Sequence, residues 1–121
     1  MDLSFNKING SIVPEIGLLK NLLKLDLREN NLIGPIPLSI GHLTNLVSLS
    51  LSMNQINGHI PLEIGHLTNL NSLFLDSNQV NGSIPPEIGN MTNLEDLHIN
   101  NNNIVGPIPL TMGHLTSLQT L

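Results

Sequence analysis

Leu22-Leu23-Lys24-Leu25-Asp26-Leu27-Arg28-Glu29-Asn30-Asn31-Leu32 is the stretch that decides the fold. Leu25 and Leu27 are two residues apart, so on an extended backbone both point to one side while Asp26 and Arg28 point to the other. The stretch therefore reads as one short strand with an apolar inner face, closed by an Asn. Twenty-four residues further on the pattern returns as Leu46, Leu49, Leu51, Asn54, Ile56. It recurs as Leu70, Leu73, Leu75, Asn78, Val80 and as Leu94, Leu97, Ile99, Asn102, Ile104. Every substitution is aliphatic.

The same period orders the rest of the chain. Its 10 glycines fall into two columns: Gly10, Gly34, Gly58, Gly82, Gly106 and Gly17, Gly41, Gly65, Gly89, Gly113. Proline recurs at Pro37, Pro61, Pro85 and Pro109, while the first repeat has Val13 in that column and Pro14 after it. A fixed period of this length marks an array of stacked supersecondary units. The column Asn6, Asn30, Asn54, Asn78, Asn102 is expected to form a ladder, because a buried amide both donates to and accepts from backbone groups freed where the chain leaves the strand. An Asp could not donate those bonds. The glycine four residues later suits a bend with positive φ or a close backbone approach. After the proline, Ile40, Leu43 and Leu46 recur every three residues, the spacing of a short 3₁₀ turn. Glu15, Glu63 and Glu87 sit near the positive N-terminal end of that turn.

The stretch from Leu22 matches the leucine-rich-repeat template L-x-x-L-x-L-x-x-N-x-L. The chain further resembles the extracellular repeats of plant leucine-rich-repeat receptor-like kinases and receptor-like proteins, over essentially all 121 residues. The specific part is the tract after the ladder Asn, seen as Asn54-Gln55-Ile56-Asn57-Gly58-His59-Ile60-Pro61 and Gln79-Val80-Asn81-Gly82-Ser83-Ile84-Pro85. The Gly-His-Leu-Thr-Asn-Leu segments (41–46 and 65–70) also look like this family. The resemblance implies a second small sheet beside the main one and a superhelical twist. The expected fold is an α/β-type leucine-rich-repeat solenoid over residues 1–121: a right-handed superhelix with a parallel β-sheet on its concave face and short 3₁₀ or irregular helical turns on its convex face.

Composition narrows the function. No core can rest on aromatic residues, since there are two Phe and neither Trp nor Tyr, so many small aliphatic layers are expected. Formal net charge is −5, and the four basic residues (Lys7, Lys20, Lys24, Arg28) all precede position 29. Nucleic acids and anionic membrane surfaces both need clustered cations, so neither partner is supported. Asn occurs 18 times, in keeping with the ladder. There is no cysteine for a disulfide or thiolate site, and no apolar stretch of about 20 residues or signal-peptide layout is seen. Met1 and Leu121 share the column of Leu25, which reads as five periods of a longer array without caps. Both end layers are therefore expected to expose aliphatic surface.

No phosphate loop, nucleophile elbow, zinc spacing or kinase signature occurs, so this chain is read as non-catalytic, without cofactor or metal. Glu95 and Asp96 are adjacent, and strand neighbours point apart. His42, His66 and His114 share a column, with His42 and His66 placed about 5 Å apart by strand stacking. No carboxylate or third ligand joins them, and exposed convex histidines are the reading. Sequons at Asn9, Asn81 and Asn90 fall at predicted surface turns and are possible glycosylation sites. About two would be expected by chance, so they lend secretion little weight.

Binding is read from the outward strand positions. One column runs Asp2, Asp26, Ser50, Phe74, His98 and the next Ser4, Arg28, Ser52, Asp76, Asn100, with Lys24, Ser48, Ser72, Asp96 and Phe5, Glu29, Met53, Ser77, Asn101 flanking them. These vary while the scaffold repeats. The candidate ligand-binding residues are Asp26, Arg28, Ser50, Ser52, Met53, Phe74, Asp76, His98 and Asn100, on a surface suited to an extended peptide or protein edge. Phe74 is the expected anchor, an exposed aromatic beside Met53 and Asp76. Some receptors of the family hold a ligand carboxylate with an R-x-R pair; here Asp26 stands two positions before Arg28, so that mode is not supported. The resemblance implies part of the ligand-sensing ectodomain of a plant receptor-like kinase, on the extracellular side of the plasma membrane. It implies binding of a peptide, a protein or a co-receptor ectodomain, and no direct membrane contact by this segment. The alternative is a secreted inhibitor of cell-wall-degrading enzymes, as polygalacturonase-inhibiting proteins share the repeat.

Overall fold

The computed structural model describes residues 1–121. Each period contributes one turn of a coil, and the coils lie side by side. Strands β2 (Lys24–Asp26), β4 (Ser48–Ser50), β6 (Ser72–Phe74) and β8 (Asp96–His98) form a four-stranded parallel sheet in the order β2-β4-β6-β8. A second parallel sheet, β1-β3-β5-β7-β9, is built from β1 (Asn9–Ser11), β3 (Asn31–Pro35), β5 (Gln55–His59), β7 (Gln79–Gly82) and β9 (Asn103–Ile104). This is the additional sheet that the resemblance implied. Between the sheets each coil closes through a 3₁₀ turn, Pro14–Leu18, Leu38–His42, Leu62–His66, Pro86–Asn90 or Leu110–His114.

The two sheets advance by different steps. In the first, Leu25 pairs with Leu49, Leu49 with Leu73 and Leu73 with Leu97, one full period each time. In the second, Asn9 pairs with Asn31, Ile33 with Gln55, Asn57 with Gln79 and Asn81 with Asn103, two residues short of a period. A slip of two keeps every side chain on its own face. It also slants the second sheet relative to the first, so successive coils are offset rather than simply translated.

The core is a single cluster of 23 buried aliphatic residues running between the sheets and the 3₁₀ turns. Ile40, Leu43, Leu46, Leu49 and Leu51 are fully excluded from solvent in one layer, and Ile64, Leu67, Leu70 and Leu73 repeat that layer in the next. Straight and branched aliphatic chains of similar volume fill identical layers without the gaps an aromatic ring would force. The outermost layers are open, as expected: Met1, Leu3, Ile108, Leu110 and Leu121 are exposed, and Ile99, Ile104 and Met112 line a hollow on the fifth coil.

Candidate functional site

The coils that carry the concave sheet are tied together by the Asn ladder. Asn54 donates through Nδ2 to the carbonyls of Leu27 (3.0 Å), Leu51 (3.1 Å) and Ser52 (3.1 Å), and its Oδ1 accepts the Leu32 amide at 3.0 Å. One side chain thus ties the second coil to the third. Asn30, Asn78 and Asn102 repeat the arrangement, whereas Asn6 bonds only to Leu3 and Ser4 of its own coil. The residue before each ladder Asn turns the chain off the sheet with left-handed backbone: Phe5, Glu29, Met53, Ser77 and Asn101 have φ between 52° and 56°. None is glycine, so composition offered no warning of this bend. The following glycines, such as Gly58 at φ 75°, take the positive φ expected of them.

A second amide column escaped the sequence reading. Asn45, Asn69 and Asn93 donate to the carbonyls of Lys20 (3.0 Å), Thr44 (2.8 Å) and Thr68 (2.8 Å), locking the turn between the 3₁₀ segment and the next strand. Its 24-residue spacing was there to be read.

Above this scaffold the candidate binding residues divide. Asp26, Phe74, Asp76 and His98 are half-buried, while Arg28, Met53 and Asn100 are less enclosed, with Met53 on the outer corner. Ser50 and Ser52 correct the expectation of open contact positions: they are 5% and 8% exposed. Ser50 lies in register between Asp26 and Phe74, and the Ser52 hydroxyl donates to Asp76 Oδ1, so short side chains are shaded by longer ones on both neighbouring coils. They form the floor of the site. Phe74 is likewise less exposed than expected, because its ring meets His98 edge to face, with centroids 5.0 Å apart at 87°. Met53, 53% exposed, sits on the left-handed corner at the end of the strand rather than within it.

Charge is segregated across the face. Arg28 pairs with Asp26 (Nε to Oδ2, 3.4 Å), and its guanidinium lies 5.3 Å from the centre of the Phe5 ring. Asp2 accepts from the hydroxyl and amide of Ser4, which together hold its carboxyl below the usual carboxylate range. In the fourth coil Asp76 accepts from Ser52 and, at 3.4 Å, from Ser77, with no cation beside it.

The remaining candidates lie elsewhere. His42, His66 and His114 end their 3₁₀ turns on the convex side, exposed. Glu95 accepts from Asn71 and Asp96 from Ser72. Asn9, Asn81 and Asn90 are all exposed, but only Asn90 is in a turn; Asn9 and Asn81 belong to β1 and β7, because the tract read as a turn pairs as a strand of the second sheet. No helix is long and apolar enough to cross a membrane.

The family model described as Leucine Rich Repeat matches residues 21–43, 45–67, 69–91 and 93–115. Among solved structures, the chain is similar to the plant peptide hormone receptor RGFR1 in complex with RGF2, at 45% identity and a TM-score of 0.93, over 95% of this chain and 18% of that one. It is similar to the Arabidopsis receptor kinase HAESA, in complex with the peptide hormone IDA and the co-receptor SERK1, at 40% identity and a TM-score of 0.94, over 99% of this chain and 21% of that one. A plant ice-binding protein matches at 35% identity and a TM-score of 0.89, over 95% of this chain and 38% of that one. No curated protein matches. The chain thus spans about a fifth of the length of the two receptors, 18% and 21%.

Proposed function

The chain belongs to the leucine-rich repeat family, and from that premise we propose that its concave sheet binds an extended peptide or a protein edge, as a segment of the extracellular ligand-sensing region of a plant receptor kinase. The observation that carries this reading is the split between constant and varied positions. Inward residues repeat as Leu and Asn coil after coil, whereas the outward ones change to Asp26, Arg28, Phe74, Asp76 and His98 on a sheet too regular to need the change. A rigid parallel sheet presents such side chains at about 4.8 Å intervals across strands, which suits an extended chain lying over several coils. The similar receptors RGFR1 and HAESA are known in complexes with peptide hormones, the second with a co-receptor as well. The contribution of this segment is recognition, and it supplies no catalytic step. Carbohydrate at Asn9, Asn81 or Asn90 would cover the second sheet and the convex side and leave the concave sheet clear.

Peptides of about a dozen residues selected from a random library against the 121-residue chain provide the test. Phe74→Ala should weaken their binding about tenfold or more while the melting curve changes little, because a central aromatic contributes strongly to such contacts. Leu62→Ala, on an exposed position of a 3₁₀ turn, should leave affinity unchanged. Equal affinity for Phe74→Ala and the unaltered chain would refute the concave site.

A further inference from the structure

We infer that the concave site accepts a basic side chain of its ligand, a guanidinium or ammonium seated between the ring of Phe74 and the carboxylate of Asp76; this rests on the concave sheet being the ligand face. Phe74 and Asp76 are consecutive outward positions on one coil, about 6.6 Å apart along extended backbone. His98 packs beside Phe74 with the two rings nearly perpendicular. On the other neighbouring coil the residue in register is Ser50, a short side chain that lies low beside Phe74. Phe74 itself is only half-buried, so part of its ring stays open to a cation, which its quadrupole attracts.

Asp76 is held for the same purpose. Ser52 and Ser77 donate a hydroxyl to each of its two oxygens, fixing the carboxylate without neutralising it. The sole ion pair of the chain is Arg28 with Asp26, and no Lys or Arg occurs after position 28. A partly buried carboxylate with fixed geometry and no counter-charge favours a cation from outside.

An independent observation gives the form of the contact. Where the first and second coils adjoin, an aromatic ring, a carboxylate and a guanidinium already meet: Arg28 lies against Asp26 at 3.4 Å and over Phe5 of the preceding coil at 5.3 Å. The fourth coil has the ring and the carboxylate but not the cation. What the chain supplies to itself in one place, a ligand supplies in the other. Arg28 is occupied by this internal contact, and the other cation of the sheet, Lys24, stands on β2, two strands away from Phe74. The planar guanidinium, able to stack on a ring and pair with a carboxylate at once, fits better than ammonium.

The probes are N-acetyl-arginine N-methylamide and its neutral near-isostere, N-acetyl-citrulline N-methylamide, titrated into the 121-residue chain and followed by NMR. The arginine probe should give saturable shifts centred on Phe74, Asp76 and Ser50, and bind about tenfold more tightly than the citrulline probe. Asp76→Asn retains an acceptor for Ser52 and should abolish the preference; Phe74→Leu should weaken the arginine probe with the carboxylate intact. Equal binding of the two probes, or arginine shifts centred on another carboxylate, would overturn the inference. Library peptides that occupy the concave sheet through acidic residues would overturn it while leaving the peptide-binding reading in place. Peptides bound elsewhere would remove both.

Discussion

Asn54 shows what a single residue contributes to this architecture. Its amide serves a donor and carbonyls on two coils, in the partly buried seam between them, so truncation leaves the Leu32 N–H without a partner and Leu27 C=O with Asn30 alone. Stranding such groups costs about 1 to 3 kcal/mol, and Asn54→Ala should lower stability by that amount in urea titrations. Asn6 is the control. It touches only its own coil and is exposed, so Asn6→Ala should stay within about 0.5 kcal/mol of the parent. Equal effects at the two sites would deny that the ladder acts between coils. The ladder was legible because an amide recurring at one position of an aliphatic frame must find backbone partners there to be tolerated at all. Ser50 and Ser52 were misread for a related reason: alternation tells which way a side chain points, but its exposure depends on what stands beside it on neighbouring coils, and Phe74 and Asp76 overshadow them.

At the scale of the element, the 3₁₀ turns pack so closely that only glycine fits between them. A Cβ on Gly65 would lie 2.5 Å from the Glu87 carbonyl oxygen, and one on Gly41 would lie 2.6 Å from that of Glu63. Gly65→Ala must push the third and fourth coils apart, at a cost of about 1–3 kcal/mol. Gly113 occupies the same column in the fifth coil, where a Cβ would meet nothing within 4 Å. Gly113→Ala should therefore be neutral or raise stability by up to about 1 kcal/mol, by restricting the unfolded chain. Thermal melts of the two variants decide the matter, and similar losses at both would mean the column serves a turn rather than a contact. The spacing of these glycines was plain from sequence, but their purpose was not, since close approach depends on how far apart neighbouring coils settle. The second sheet was likewise reachable only through resemblance. Its strands contain Gly and Asn, poor strand formers, and they exist because the preceding coil offers them a ready edge.

For the molecule as a whole, repetition made the fold readable and left the site less so. Leu and Asn columns determine a stack whatever the ligand, while contact residues are by nature the ones that break the pattern. Sequence alone placed Asp26, Arg28, Phe74, Asp76 and His98 along the strands of one sheet, yet it could not reveal that Arg28 is already engaged or that Phe74 leans on His98. Those relations, one within a coil and the other across coils, are set by rotamers rather than by period. The same architecture is shared by peptide hormone receptors and an ice-binding protein, so the fold alone does not fix the role, and the contact face must be located directly. Amide hydrogen exchange of the 121-residue chain, with and without a saturating library peptide, locates that face. Added protection should map to residues 24–29, 48–53, 72–77 and 96–101, the concave strands and their corners. Protection confined to the second sheet or to the 3₁₀ turns would contradict the assignment of the concave sheet as the binding surface.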